Sequence, residues 1–182
     1  MNDPLYIFAV LTPWLVILCY YDCRFRRLPN ILTVSAIVIA LAWRLLFGGL
    51  PSFCGGLAGG VFSGLFLLLP FYLRAAGGGD VKMLAAVGCV LGFSRVALFL
   101  LATSVAGIVL AVVMLIAGFA NGARLKHIFR CIFDWRYDRK QGRESLPPKS
   151  DERSRIPFGV AIAVGVWGAL LWEIMLKNGA FS

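Results

Sequence analysis

Long runs of apolar residues, separated by short polar segments, recur along the whole chain. A membrane-spanning helix needs roughly 20 mainly apolar residues to cross the hydrocarbon core of a bilayer. Four runs reach or approach that length with almost no charge: residues 4–21, 54–73, 96–118 and 157–176. We predict a transmembrane helix over each of them.

Two shorter apolar runs complete the pattern. Residues 31–47 include Arg44, whose charged end would have to extend to the membrane surface. Residues 81–93 are too few to cross alone, so the glycine-rich segment before them should be buried within protein. We therefore predict an all-α, polytopic membrane protein of six transmembrane helices that forms a single domain over residues 1–182. The first run is not expected to be a signal peptide, because no basic residue precedes it.

Composition agrees with a membrane protein, and charge indicates an orientation. Hydrophobic residues make up 60% of the chain, and the mean hydropathy of +0.83 lies outside the range of soluble domains. With the N-terminus outside, the predicted inside segments hold 15 of the 18 Lys and Arg residues. Basic residues tend to remain on the cytoplasmic side. We expect a multi-pass protein of the cell inner (cytoplasmic) membrane with both termini outside.

Ten of these basic residues lie in one predicted cytoplasmic loop, residues 119–156. Within the loop, residues 124–137 show the apolar period of an amphipathic helix on the membrane surface, and residues 141–155 are typical of a flexible tether. Such a basic face usually contacts the anionic headgroups of membrane lipids. We expect no nucleic-acid partner, because no aromatic-interleaved recognition module accompanies the net charge of +9. The sequence leaves open whether the chain forms a homo-oligomer.

Cysteine and histidine do not form the pattern of a metal site. The chain has five cysteines without a Cys-x-x-Cys pair, and His127 is its single histidine. Zinc sites use closely spaced ligands of these types. We predict no metal and no other cofactor.

Glycines recur at four-residue spacing in two predicted helices, Gly56, Gly60 and Gly64 in one and Gly88 and Gly92 in the other. Small residues at this spacing let helix backbones approach closely in a membrane. We predict that these two helices pack tightly.

Asp22 and Asp80 are the candidates for chemistry. Each lies at the cytoplasmic end of a predicted span, where a carboxylate without a function is costly to keep. Asp22 ends a helix, and a negative charge is disfavoured there. Asp80 follows three glycines, which allows two interpretations. It is either an N-cap that only starts the next helix, or part of a site where flexible glycine backbone lets a substrate strand approach. Paired carboxylates that share a proton are the chemistry of aspartic proteases.

Three short motifs stand in order along the chain. Residues 22–30 read Asp-Cys-Arg-Phe-Arg-Arg-Leu-Pro-Asn, residues 77–82 read Gly-Gly-Gly-Asp-Val-Lys, and residues 156–159 read Ile-Pro-Phe-Gly. The first two resemble the signatures of the aspartic prepilin peptidases, also called type IV leader peptidases. These are an aspartate followed by basic residues and Pro-Asn, and then Gly-x-Gly-Asp-x-Lys. The third resembles a weaker element, although Val160 stands where that family often has proline.

The resemblance implies a GxGD aspartic protease core in which Asp22 and Asp80 are catalytic. One would act as general base and the other as general acid, and the sequence leaves open which is which. The resemblance further implies that the remaining motif residues support the site, namely Pro29, Asn30, Gly77, Gly79, Lys82, Pro157 and Gly159. The implied substrate is a prepilin-like precursor, whose short basic leader is removed at the cytoplasmic membrane face.

Larger members of that family carry a cytoplasmic domain with paired Cys-x-x-Cys motifs, associated with methylating the new pilin N-terminus. Here eight residues separate Asp22 from the next predicted span, so we expect an aspartic endopeptidase without N-methyltransferase activity. The alternative is a small proton-coupled membrane transporter that uses Asp22 and Asp80 as proton sites. Against it, both lie at one face, and the predicted spans show no inverted repeat. A non-catalytic assembly factor would leave the motifs unexplained.

Overall fold

The computed structural model describes residues 3–25, 29–72, 76–116 and 158–177, and every element in these ranges is an α-helix. In chain order the helices are α1 (Pro4–Phe25), α2 (Asn30–Tyr72), α3 (Gly78–Leu91), α4 (Phe93–Ile116) and α5 (Phe158–Lys177). The prediction of an all-α protein is confirmed for this part of the chain.

Four of the described helices, α1, α2, α4 and α5, are long and apolar enough to cross a membrane. By length and composition, therefore, the chain is a multi-pass membrane protein. The predicted span at 31–47 and residues 54–72 of the predicted span at 54–73 fall within α2. The predicted loop at 119–156, with its surface helix and tether, lies outside the described residues.

The predicted span at 81–93 corresponds to α3, which has 14 residues and is shorter than a helix that crosses lipid alone. Its side chains are enclosed by the rest of the bundle, since Met83, Leu84, Ala86 and Val87 are fully buried. A short helix surrounded by protein does not have to span the hydrocarbon core by itself.

The 43-residue α2 is broken at Gly49, whose φ of 66° and ψ of −174° are not helical. Glycine adopts a positive φ without the steric penalty of a side chain, so it suits a reversal of the chain. The half before Gly49 runs in the same direction as α3. Near its start Lys82 Nζ donates a hydrogen bond to Asn30 Oδ1, and near its end Arg44 Nη2 donates to the Val90 carbonyl.

The half after Gly49 runs in the opposite direction. Near its start, a methyl group added to Gly56 would lie 3.1 Å from the Cys89 carbonyl oxygen. Near its end, the ring of Phe71 would lie 3.4 Å from a methyl group added to Gly78. The two halves of α2 are therefore antiparallel and form a helical hairpin around α3.

Arg44, whose charged end we expected to extend to the membrane surface, binds the carboxyl end of α3. Its Nε donates to the Cys89 carbonyl at 2.8 Å and its Nη2 to the Val90 carbonyl at 2.9 Å. Its Nη1 donates to the backbone oxygen of Ser52 at 3.1 Å, across the Gly49 turn. The last carbonyls of a helix have no hydrogen-bond partner within it and carry partial negative charge. The guanidinium of Arg44 supplies both hydrogen-bond donors and a positive charge.

Glycines bring α2 and α3 into backbone contact, which confirms the predicted tight packing. A methyl group added to Gly88 would overlap the carbonyl oxygen of Gly59 and the hydroxyl of Ser63. One added to Gly60 would lie 3.1 Å from the Ala85 carbonyl oxygen. The two helix backbones therefore touch along these glycines.

Helix α5 packs between α1 and α4. Ion pairs tie these three helices together at the end where α5 finishes. Arg95 Nε contacts Glu173 Oε2 at 2.8 Å, and Lys177 Nζ contacts Asp3 Oδ1 at 2.9 Å. Buried apolar side chains from several helices form a core between them, among them Leu15, Leu18, Leu67, Met83, Phe99, Ile162 and Val166.

The glycine contact predicts a difference between two otherwise equal substitutions. Gly88→Ala should destabilise the protein by about 1–3 kcal/mol, because its methyl group overpacks the contact with α2. Gly55→Ala is the matched control, because a methyl group there meets nothing within 4 Å. Both changes give the same gain in helix propensity. Thermal unfolding in detergent micelles should show a lower melting temperature for Gly88→Ala alone, and equal melting temperatures would contradict the close crossing.

Candidate active site

One end of the helix bundle brings the three sequence motifs together. There α1 ends, while α2, α3 and α5 begin. Two contacts between motifs define the arrangement: Asp22 of α1 meets Gly159 of α5, and Asn30 of α2 meets Lys82 of α3. Helices α1 and α2 are joined at this same end by the short segment between them.

Asp22 is buried in the last turn of α1, with 6% of its surface exposed. The predicted span ends at residue 21, but the helix continues to Phe25, so Asp22 lies within it. Its Oδ2 accepts a hydrogen bond of 2.8 Å from the backbone N–H of Gly159. That N–H lies in the first turn of α5, where backbone donors have no partner within the helix.

Asp80 is buried in the first turn of α3, with 8% of its surface exposed. Its Oδ2 accepts a hydrogen bond of 2.9 Å from the backbone N–H of Gly77. Gly77 is the N-cap residue and Asp80 is the third helical residue, so the aspartate caps the helix from within its first turn. The capping interpretation is therefore partly right: Asp80 stabilises the start of α3, although it is not the N-cap.

The glycine run before Asp80 is mostly helical. Gly77 has an extended backbone, but Gly78 and Gly79 belong to the first turn of α3. Glycine has a low helix propensity, yet Gly78 and Gly79 form the start of α3. The reason is that the Asp80 carboxylate binds the N-cap N–H and compensates for the low helix propensity of glycine.

Two of the supporting residues connect the first and second motifs. Lys82 Nζ donates a hydrogen bond of 2.8 Å to Asn30 Oδ1, and both side chains are exposed. The carbonyl of Pro29 accepts hydrogen bonds from the N–H groups of Leu32 and Thr33, at 3.1 and 3.4 Å, and so begins α2. Pro157 lies outside the described residues.

Sequence reasoning missed two participants in the surroundings of Asp22. The first is the backbone N–H of Gly159, because a main-chain donor leaves no mark in a sequence. The second is Cys19, whose Sγ lies 4.0 Å from the Gly159 carbonyl oxygen. Cys19 and Asp22 are three residues apart on α1, a spacing that places both on one helix face, and this was the available signal.

The geometry supplies acid–base groups in an apolar setting. Two buried carboxyl groups lie at one end of the bundle, and each has one oxygen bound by a backbone N–H. Carboxyl groups held in this way can accept and return protons. Among the residues that the structure describes, no group of three or more His, Cys, Asp or Glu residues is arranged to hold a metal ion.

Comparison with known proteins identifies relatives of the chain. Residues 9–112, more than half of the chain, match the type IV leader peptidase family. A prepilin leader peptidase/N-methyltransferase of Neisseria gonorrhoeae is 33% identical over 116 residues, which are 59% of this chain and 40% of that protein. One of Aeromonas salmonicida (strain A449) is 27% identical over 173 residues, which are 90% of this chain and 48% of that protein. The chain thus spans about half the length of the curated relatives it matches, and no solved structure matches it significantly.

Proposed function

Because the chain belongs to the type IV leader peptidase family, we propose that it is an intramembrane aspartic endopeptidase. Its substrates are prepilin-like precursors, from which it removes the short basic leader at the cytoplasmic face of the membrane. The observation that carries the proposal is the pair Asp22 and Asp80. Both lie within the matched region, both are buried, and both occupy the same end of the bundle.

In this reaction both carboxyl groups transfer protons, one as general base and the other as general acid. Water attacks a peptide carbonyl poorly, so one aspartate takes a proton from the attacking water while the other protonates the departing amine. Close carboxyl groups do this by holding one proton between them, because two adjacent negative charges are unfavourable. A buried site of this kind also excludes bulk water, which strengthens the interactions of the charges that develop.

The other motif residues hold the starts of helices around the catalytic pair. Gly77 donates its N–H to Asp80 and Gly159 donates its N–H to Asp22. Lys82 and Asn30 connect α3 to α2, and the Pro29 carbonyl begins α2. These roles support a GxGD core built from helix ends rather than from long loops.

The proposed membrane arrangement has six spans with both termini outside. The hairpin at Gly49 supports two spans within α2, and the enclosure of α3 supports a short fourth span. The basic residues at the ends of the apolar runs support a cytoplasmic location for Asp22 and Asp80. The basic loop at 119–156 would then contact anionic lipid headgroups.

We further propose that this polypeptide lacks N-methyltransferase activity, although the names of its relatives include it. Methyl transfer needs a pocket for a bulky cofactor, typically several hundred Å³ in volume. The connections 26–29, 73–77 and 92 between the described helices are too short to form one. The sequence of the 119–156 loop contains no Gly-rich nucleotide-binding turn.

Substitution of either aspartate tests the catalytic pair. Asp22→Asn and Asp80→Asn should each abolish cleavage, and the double variant should be no worse than either, because residues that act as a unit are not additive. Asp3→Asn is the matched control, since Asp3 pairs with Lys177 at the other end of the bundle and should be dispensable. Cleavage of a precursor with a short basic leader is measured by gel shift in membranes. Substantial cleavage by a well-expressed single variant would refute the aspartic mechanism. Absence of cleavage by the wild-type chain would instead favour the proton-coupled transporter.

Labelling with an impermeant thiol reagent tests the orientation. In a background without native cysteines, cysteine replaces Leu50, which is 69% exposed beside the Gly49 turn, or Ser150 in the basic loop. The six-span arrangement places these positions on opposite sides of the membrane. Labelling of intact cells should modify Leu50→Cys, whereas Ser150→Cys should react only after permeabilisation. Reaction of both positions from the same side contradicts the arrangement.

Mass spectrometry of the cleaved product tests the absence of methylation. The purified 182-residue chain should release the leader but leave the new N-terminal amine unmethylated when S-adenosylmethionine is supplied. A reaction without the protein serves as the control for chemical methylation. A methyl-sized mass increase that depends on this chain would show that the restriction to peptidase activity is wrong.

A further inference from the structure

The start of α5 makes a close contact with Asp22. The buried N–H of Gly159 donates a hydrogen bond of 2.8 Å to Asp22 Oδ2. A methyl group added to Gly159 would lie 2.7 Å from Oδ2 and 3.2 Å from Cγ of the same carboxyl group. Gly159 therefore affects Asp22 in two ways. Its amide donates a hydrogen bond, and its lack of a side chain leaves room for the carboxyl group.

The contact has a specific consequence for the carboxyl group. Because the Gly159 N–H binds Oδ2 and the Gly159 backbone packs against Cγ, α5 restricts the rotation of the Asp22 carboxyl group. The donor belongs to the first turn of a helix, where unpaired N–H groups and the helix dipole both favour a negative oxygen. Helix α5 also lies beyond the matched residues 9–112.

We propose that Gly159 is the positioning residue for Asp22. Its amide orients the carboxyl group for proton transfer, and glycine is required because any side chain would displace that group. This inference rests on the proposed peptidase function, but the contact itself can be tested without activity.

Three glycines of α5 allow a matched comparison. A methyl group at Gly159 meets the Asp22 carboxyl group, and one at Gly165 meets the backbone of Thr103 on α4. One at Gly168 meets nothing within 4 Å. The same Gly→Ala change can therefore be compared at three positions of one helix. It should displace Asp22 at Gly159, disturb the packing against α4 at Gly165, and make no new contact at Gly168.

The first test is kinetic and uses the full chain in detergent with a synthetic precursor peptide that carries a short basic leader. Gly159→Ala should lower kcat about 10²-fold, the cost of misplacing a reacting group by about 1 Å, while KM stays near the wild-type value. Gly168→Ala should keep both constants. Gly165→Ala should lower the melting temperature but not the kcat of the folded protein. A wild-type kcat in folded Gly159→Ala, or an equal loss of kcat in all three variants, overturns the proposal.

The second test measures the contact through stability, which also covers the case in which Gly159→Ala folds poorly. In the wild-type background Gly159→Ala should lower the melting temperature, because its methyl group overlaps the carboxyl group. In the Asp22→Ala background the same change should cost little, since the group it overlaps has been removed. An equal loss of melting temperature in both backgrounds shows that Gly159 does not act on Asp22.

The two tests separate this inference from the proposed function. If the wild-type chain fails to cleave any precursor while the stability coupling is found, the contact stands and the peptidase assignment falls. If the wild-type chain cleaves but Gly159→Ala keeps its kcat and shows no coupling, the peptidase assignment stands and the positioning role falls.

Discussion

The burial of two carboxyl groups inside an apolar bundle is the constraint on which the rest of the structure depends. A buried charge is costly unless hydrogen bonds compensate for the lost water. In a membrane helix almost every backbone N–H is already used, and the exceptions are those of the first turn. Asp80 lies in the first turn of α3 and binds the N–H of the N-cap residue Gly77, and the bundle brings the start of α5, with the N–H of Gly159, to Asp22.

This constraint explains the short helix α3 and what holds it. The position of Asp80 along the bundle depends on α3, which is too short to be anchored by lipid at both ends. Instead, Arg44 binds the carbonyls at its carboxyl end, and the contact of Gly88 with Gly59 limits its sliding against α2. Lys82 and Asn30 provide a third connection at the amino end. The α2 hairpin therefore acts as the frame that holds Asp80 at a defined depth.

Much of the site could be predicted from the sequence, because carboxylates in apolar runs are rare and glycine spacing has a direct meaning for helix packing. The helices follow from the same apolar runs. The features that could not be predicted depend on backbone groups and on how the helices pack against one another. The N–H of Gly159 is invisible in a sequence, and the guanidinium of Arg44 could have reached either lipid headgroups or a helix end. Gly78 and Gly79 have a low helix propensity but belong to α3, because the Asp80 carboxylate stabilises its first turn. Intrinsic propensity takes no account of that carboxylate.

The backbone also makes the surroundings of the two aspartates unequal. Asp80 lies in the first turn of α3, where the helix dipole favours a negative charge. Asp22 lies in the last turn of α1, where the dipole opposes a negative charge, and the start of α5 offsets that effect through Gly159. In the proposed peptidase, a pair of carboxyl groups that divides the roles of acid and base would need such a difference between its members. The positions of Asp22 at the end of α1 and of Asp80 at the start of α3 supply this difference, and α5 reduces it at Asp22. The electrostatics of the two carboxyl groups therefore depend on how the helices are arranged as well as on which side chains they carry.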